Sequence, residues 1–195
     1  MGSWTHHRSG PAGRALSPHR RAPATTATLT ARDQIGEVGG WAGARAHFPG
    51  SLDVSGHADP LEVYLDHLYT YEYGNGPSSL GGGWDAFNAL TGPGELTGDG
   101  KGDLLARSSG GTLCLYRGDG RSYGFAGRTG LGSGWNAYNA LAGAGDLTGD
   151  GRADLLAVTP SGTLYRYAAT HTGTANPFAT RANLGTGWNT YTQFH

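Results

Sequence analysis

A ten-residue pattern occurs twice in this chain, identical at seven positions. Gly145-Asp146-Leu147-Thr148-Gly149-Asp150-Gly151-Arg152-Ala153-Asp154 repeats Gly94-Glu95-Leu96-Thr97-Gly98-Asp99-Gly100-Lys101-Gly102-Asp103 at an offset of 51. Counted from Glu95 and from Asp146, oxygen-bearing side chains stand at positions 1, 3, 5 and 9, with glycine at position 6. These are Glu95, Thr97, Asp99 and Asp103 in the first copy, and Asp146, Thr148, Asp150 and Asp154 in the second. Such spacing turns alternate oxygens toward one point. The glycine permits the sharp bend, and the backbone carbonyl of position 7 completes the set. Lys101 and Arg152 hold position 7, so each offers a carbonyl and is free to point its charge outward. An all-oxygen set without His or Cys favours Ca2+ over zinc or copper. The competing reading, a Gly-Asp-Gly turn with solvated acids, must account for the same four oxygens appearing twice.

The loops match an EF-hand only in their first half. An EF-hand closes with a bidentate Glu at position 12, where this chain has Ala106 and Ala157. The flanks are also those of strands: Leu-Leu-Ala runs, a glycine turn, then Thr112-Leu113-Cys114-Leu115-Tyr116 and Thr163-Leu164-Tyr165-Arg166-Tyr167. Affinity should be modest, on the order of 10⁻⁴–10⁻³ M as in extracellular modules. At ten times Kd, linkage then supplies about 1.4 kcal/mol per site. That orders a strand connection without folding a chain.

The 36 glycines among 195 residues suit a turn-rich all-β repeat protein. A net charge of −1 gives no case for nucleic-acid or membrane-surface attraction. The sign is uneven: residues 1–58 hold six Arg against three acids, and 59–195 hold eight basic against twelve acidic groups. Half of those twelve lie in the two loops. One cysteine, Cys114, excludes an internal disulfide framework and is expected to be an inert filler. No run approaches the roughly 18 apolar residues of a membrane span, and residues 1–30 lack the apolar stretch of a secretory leader.

Residues 1–58 are expected to be a low-order extension, because prolines and scattered Arg interrupt every period and large apolar residues are few. Within 31–65, Ile35-Gly36-Glu37-Val38-Gly39, Ala46-His47-Phe48 and Asp59-Pro60-Leu61 resemble the end of a lysostaphin-type zinc endopeptidase. By that resemblance His47 matches a zinc-ligand histidine. Arg45 stands where its companion belongs, however, and the other ligands have no counterpart, so the segment is a degraded tail without a site. Asp53, His57 and Asp59 are read as ordinary polar residues.

From 59 to 195 the texture is repetitive. Leu61–Leu65 and Leu68–Tyr73 read as two strands around an Asp66-His67 turn, a partial blade over 61–79. Residues 83–116 and 134–167 agree at 21 of 34 positions, and Gly187-Trp188-Asn189-Thr190-Tyr191 opens a further unit. A period near 51 with four short strands per unit points to propeller blades. The expected architecture is all-β: a partial β-propeller of four-stranded blades, with full blades at 80–130 and 131–183, a partial blade at 61–79 and the start of another at 184–195. Strand 1 of each unit is read as running from the Trp to the loop.

The Asp-Leu-Thr-Gly-Asp-Gly-Arg-Ala-Asp loop, the Leu-Leu-Ala strand and the Gly-Thr-Leu-Tyr-x-Tyr strand resemble the FG-GAP/VCBS-type repeats of secreted bacterial proteins. The single Lys and single Ile suit an actinomycete-like source. The first loop departs from that pattern at Glu95, and both loops carry Thr at position 3. The resemblance implies an extracellular, calcium-stabilised propeller module without catalysis, binding a protein or glycan, as a fragment of a larger secreted protein or one that self-associates to complete a ring. Two rivals stay open: an accessory region of a cell-wall hydrolase whose catalytic domain is missing, and a lectin-like propeller with Trp84, Trp135 and Trp188 as sugar platforms. Packing between blades is preferred for those tryptophans.

Overall fold

The computed structural model describes residues 45–53, 55–71, 77–121, 124–170 and 176–191. The basic arm, His6-His7 and most of the peptidase-like segment lie outside the described residues. Twelve strands form three four-stranded antiparallel sheets, with no α-helix among the described residues. The first sheet comprises β1 (Arg45–His47), β2 (Leu61–Tyr64), β3 (His67–Tyr71) and β4 (Pro77–Gly82). The second comprises β5 (Phe87–Gly94), β6 (Asp103–Ser108), β7 (Leu113–Gly118) and β8 (Phe125–Gly130). The third comprises β9 (Ala140–Gly143), β10 (Asp154–Val158), β11 (Leu164–Ala168) and β12 (Ala182–Gly185). In each sheet the strands lie in chain order, as in up-and-down propeller blades.

The first unit is therefore a full sheet and not the partial one expected over 61–79. Arg45–His47 pairs with Leu61–Val63 as its first strand. The segment compared with a peptidase tail supplies two strands of this repeat. The β2–β3 hairpin turns at Leu65-Asp66, both at positive φ (47° and 67°), one residue before the expected turn. Two consecutive left-handed residues match the right-handed twist of a two-residue hairpin.

Buried positions on the strands follow from stacking of the sheets. In β6 successive side chains go to opposite faces. Leu104 and Ala106 join Leu61, Val63 and Leu68 of the first sheet, with Trp84 and Cys114. Leu105 instead joins Leu155, Ala157 and Trp135 on the side of the third sheet. A strand apolar on both faces is what a middle layer requires. The Leu-Leu-Ala runs satisfy this without the alternation of a half-exposed strand.

The tryptophans open short 3₁₀ turns, Trp84–Ala86, Trp135–Ala137 and Trp188–Thr190, and the first strands of the second and third sheets start after the first two of these. The preceding glycines, Gly83, Gly134 and Gly187, have φ of 93°, 88° and 93°, a region that glycine enters without steric cost. Each Trp N–H then donates to the preceding sheet: to Asp66 O, Gly111 O and Gly162 O at 3.1, 3.0 and 3.0 Å. Trp84 and Trp135 are buried, with ring centroids 4.9 Å from Tyr116 and Tyr167. Their faces are spent on packing. Trp135→Ala is accordingly expected to cost about 3–5 kcal/mol, read as a large drop in the thermal midpoint. A retained midpoint would contradict the packing role.

Candidate metal centre

Each loop joins the first strand of a sheet to the second. At its end the position-9 aspartate is shut from solvent and one oxygen holds the loop's start. Leu96 N donates to Asp103 Oδ2 at 2.9 Å, and Leu147 N donates to Asp154 Oδ2 at 3.1 Å. Both side chains are buried. Asp103 Oδ1 also accepts from Gly118 N at 3.3 Å. Asp154 Oδ1, equally buried, has no hydrogen-bond partner.

The position-1 carboxylate sits inside the bend and collects backbone donors. Glu95 Oε1 accepts from Thr97 N (2.6 Å) and Gly98 N (2.5 Å). Asp146 Oδ1 accepts from Thr148 N, Gly149 N and Asp150 N at 3.0, 2.7 and 3.2 Å, and its Oδ2 from Gly151 N at 2.7 Å. Those N–H groups, Gly151 foremost, hold the Asp146 pKa below the usual carboxylate value. The position-3 hydroxyls face the same carboxylates, Thr97 Oγ1 to Glu95 Oε1 at 3.4 Å and Thr148 Oγ1 to Asp146 Oδ1 at 3.3 Å. Gly100 and Gly151 make the bend at φ of 79° and 81°, as the spacing requires.

Position 7 differs from expectation. Lys101 Nζ lies 3.4 Å from Asp99 Oδ2 and Arg152 Nη1 lies 3.5 Å from Asp150 Oδ2, so both charges fold back onto their loops. Position 5 thus pairs with the nearest positive group. Such exposed pairs are worth about 0–1 kcal/mol, and a divalent ion can displace them.

Burial, with the Asp99 and Glu95 charges adding, raises the Asp103 pKa to about 7 against the opposing N–H bonds. The first loop thus gathers negative charge that a cation would neutralise. Among the described residues no three His, Cys, Asp or Glu side chains converge closely enough to hold a metal by themselves. Hydroxyl and carbonyl oxygens must complete the set. The chemistry of the donors fits a hard cation, and so does the unpartnered Asp154 Oδ1.

A third loop of the same shape precedes these two in the chain. Ser51, Asp53, Ser55, Gly56, His57 and Asp59 stand 44 residues before Glu95, Thr97, Asp99, Gly100, Lys101 and Asp103. Leu52 N donates to Asp59 Oδ2 at 2.8 Å, and Gly56 bends at φ 77°, repeating the other two loops. Asp53 and Asp59 are therefore loop residues. The signal was the Ser-x-Asp-x-Ser-Gly-x-x-Asp spacing, masked by serine at positions 1 and 5. Here the side chains close on each other: Ser51 Oγ donates to Asp53 Oδ1 at 2.9 Å and accepts from Gly56 N at 3.2 Å.

Residues 96–157, from inside one loop to beyond the other, match the family model of the FG-GAP-like repeat. The chain carries FG-GAP-type repeats. No curated protein matches it. The match runs from the loop before β6 of the second sheet into β10 of the third, and the Ser51–Asp59 loop repeats the same hydrogen-bond geometry in the first.

Outside the loops, His47 lies on β1, where burial, with Arg45 adding, lowers its pKa to about 4. Burial keeps that imidazole neutral. Cys114 is a buried free thiol on β7, packed among the first and second sheets as a small apolar side chain.

Proposed function

We propose that this chain is a non-catalytic, calcium-stabilised propeller-type module that binds a protein or glycan outside the cell. Its FG-GAP-type match supports the module class, since that family is generally non-catalytic. The observation that carries the calcium reading is Asp154 Oδ1, an acceptor shut from solvent without a partner. A carboxylate oxygen buried in this way is unfavourable unless something positive meets it.

Glu95, Thr97, Asp99 and Asp103 with the Lys101 carbonyl would hold one ion, and Asp146, Thr148, Asp150 and Asp154 with the Arg152 carbonyl a second. The bound ion supplies charge neutralisation and a fixed link between the first and second strands of its sheet. The chain's own groups do the remainder. The position-1 carboxylate keeps the bend through its N–H bonds, and the position-9 aspartate anchors Leu96 or Leu147. The Ser51–Asp59 loop, with serine at positions 1 and 5, carries less charge and keeps its shape through Ser51 and Asp53.

Thermal unfolding of the full chain should rise with calcium at millimolar concentration, by about 1.4 kcal/mol per site at ten times Kd. Asp150→Ala should remove about half of that gain while leaving the midpoint in chelator within about 1 kcal/mol. An unchanged midpoint across the titration would end the calcium reading.

A further inference from the structure

An arginine recurs at one place in the repeat. Arg128 lies on β8 and Arg181 just before β12, each seven residues before the next tryptophan and at the outermost strand of its sheet. Each reaches tyrosines of its own unit. Arg128 hydrogen-bonds the Tyr116 hydroxyl, and Arg181 Nη1 donates to the Tyr138 hydroxyl beside Tyr167. An arginine–tyrosine pair is thus common to both units. The third unit adds to it: where the second has Phe87 and Cys114, the third has Tyr138 and Tyr165. Phe87 and Cys114 sit in a buried apolar cluster, so stacking of the sheets does not call for hydroxyls at these positions.

The added hydroxyls leave donors in surplus. Tyr138 Oη and Tyr167 Oη are 2.6 Å apart, a contact that uses one of their two protons. The other proton has no acceptor among the described residues, and the Tyr165 hydroxyl makes no hydrogen bond with them. Burial, with the Tyr138 hydroxyl adding, pushes the Tyr167 pKa up to about 12, so this phenol keeps its proton at neutral pH. Arg181 is held in place by its Tyr138 bond and by the Tyr165 ring, whose centre lies 4.2 Å from Cζ. The side chain is nevertheless exposed, and no carboxylate among the described residues pairs with it. A fixed positive charge with spare N–H and O–H donors around it is the complement of an anion rich in oxygen.

We propose that Arg181, Tyr138, Tyr165 and Tyr167 form a subsite for the carboxylate of an acidic sugar of the uronic-acid type. The open edge of the guanidinium takes the carboxylate, whose planar geometry it matches. The phenol donors beside it meet a hydroxyl or ring oxygen of the same sugar. A uronic acid has such oxygens on and next to the carbon that bears its carboxylate. An Asp or Glu side chain has only methylene groups beyond its carboxylate, which would leave the phenol donors unmet. Arg128, with one phenol beside it, lacks the set. This inference rests on the reading of the chain as a binding module and names the glycan; the calcium loops take no part in it.

The test titrates the full chain with tetragalacturonate in chelator, so that calcium cannot bridge protein and sugar. Calorimetry should show saturable binding that weakens with added salt, and none of the fully methyl-esterified tetramer. Arg181→Gln should raise Kd about tenfold or more. Tyr165→Phe keeps the ring under the guanidinium and should raise Kd about threefold, at an unchanged thermal midpoint. Arg128→Gln should leave Kd as it was. If Arg181→Gln lowers the midpoint, Tyr165→Phe decides. No saturable binding overturns the proposal, and so does equal binding of the esterified tetramer. A Kd indifferent to both Arg181→Gln and Tyr165→Phe, or raised equally by Arg128→Gln, removes this subsite and leaves the module reading standing. Tetraglutamate that binds as tightly as the sugar overturns the acidic-sugar assignment in favour of a peptide. The calcium response of the thermal midpoint is measured apart from all of these, so the two readings fall separately.

Discussion

Asp103→Ala is expected to destabilise the protein by about 2–5 kcal/mol in chelator, read as a shift of the urea midpoint at unchanged slope. The carboxylate has 0% exposure and takes two backbone donors on different oxygens, Leu96 N on Oδ2 and Gly118 N on Oδ1. Each N–H that loses its acceptor in a buried place costs about 1–3 kcal/mol. Removing a carboxylate whose pKa is pushed up to about 7 relieves some of its own burial cost, which keeps the expected loss below the full sum. Asparagine is no remedy, because its NH2 would face one of the two donors. Asp99 in the same loop is exposed and, among the described residues, hydrogen-bonds only with Lys101, so Asp99→Ala in chelator should cost less than about 1 kcal/mol. With calcium the order of interest reverses: Asp99→Ala should lose the ion's stabilisation although its fold is intact. Equal effects of the two substitutions in chelator would mean that the position-9 aspartate is not the anchor of the loop.

The sequence carried the repeat but not where it starts. The Gly-Asp-Gly loops and the Leu-Leu-Ala runs are local patterns, and they place six of the twelve strands with little ambiguity. The first unit is harder to see because its loop keeps the anchor and the bend, Asp59 and Gly56, while serine replaces two acids. Acid spacing alone then fails, whereas a Leu followed seven residues later by Asp, as in Leu52–Asp59, Leu96–Asp103 and Leu147–Asp154, would have found all three. That pair is also the one the hydrogen bonds single out. Phe48 disguised the unit further, since it stands where the aligned residues are glycine.

The site was legible as a list of oxygens and not as a charge balance. Nothing in the spacing says that Lys101 and Arg152 turn back to Asp99 and Asp150. That outcome depends on a long flexible side chain finding the nearest negative charge. Nor does the spacing separate Asp103 from Asp154. The difference arises one strand away, where Gly118 N meets Asp103 Oδ1 while Asp154 Oδ1 is left without a partner. Position 9 therefore does two jobs, anchoring in both loops and offering an unmet oxygen in one, and the third unit should respond to calcium more strongly than the second.

Gly143→Ala is expected to cost about 3 kcal/mol or more, a larger loss than a surface glycine can explain. The residue lies at the end of β9, where its N–H donates to Thr91 Oγ1 of the second sheet at 2.7 Å. An alanine Cβ would come under 3.0 Å from Pro93 Cα and Gly92 O. The innermost strands must separate to admit it, and separation strips contacts from Leu96, Leu105, Leu155 and Trp135 behind them. Gly145→Ala is the comparison. It lies two residues on, at φ 65° with nothing within 4 Å of an added Cβ, so its cost is conformational alone, about 1–2 kcal/mol. Urea unfolding of both variants, followed by tryptophan fluorescence, separates the two effects. The Gly143 variant should also show a redder Trp135 emission before the main transition, because the sheets part first. Equal costs for the two substitutions would mean that the sheets do not touch here.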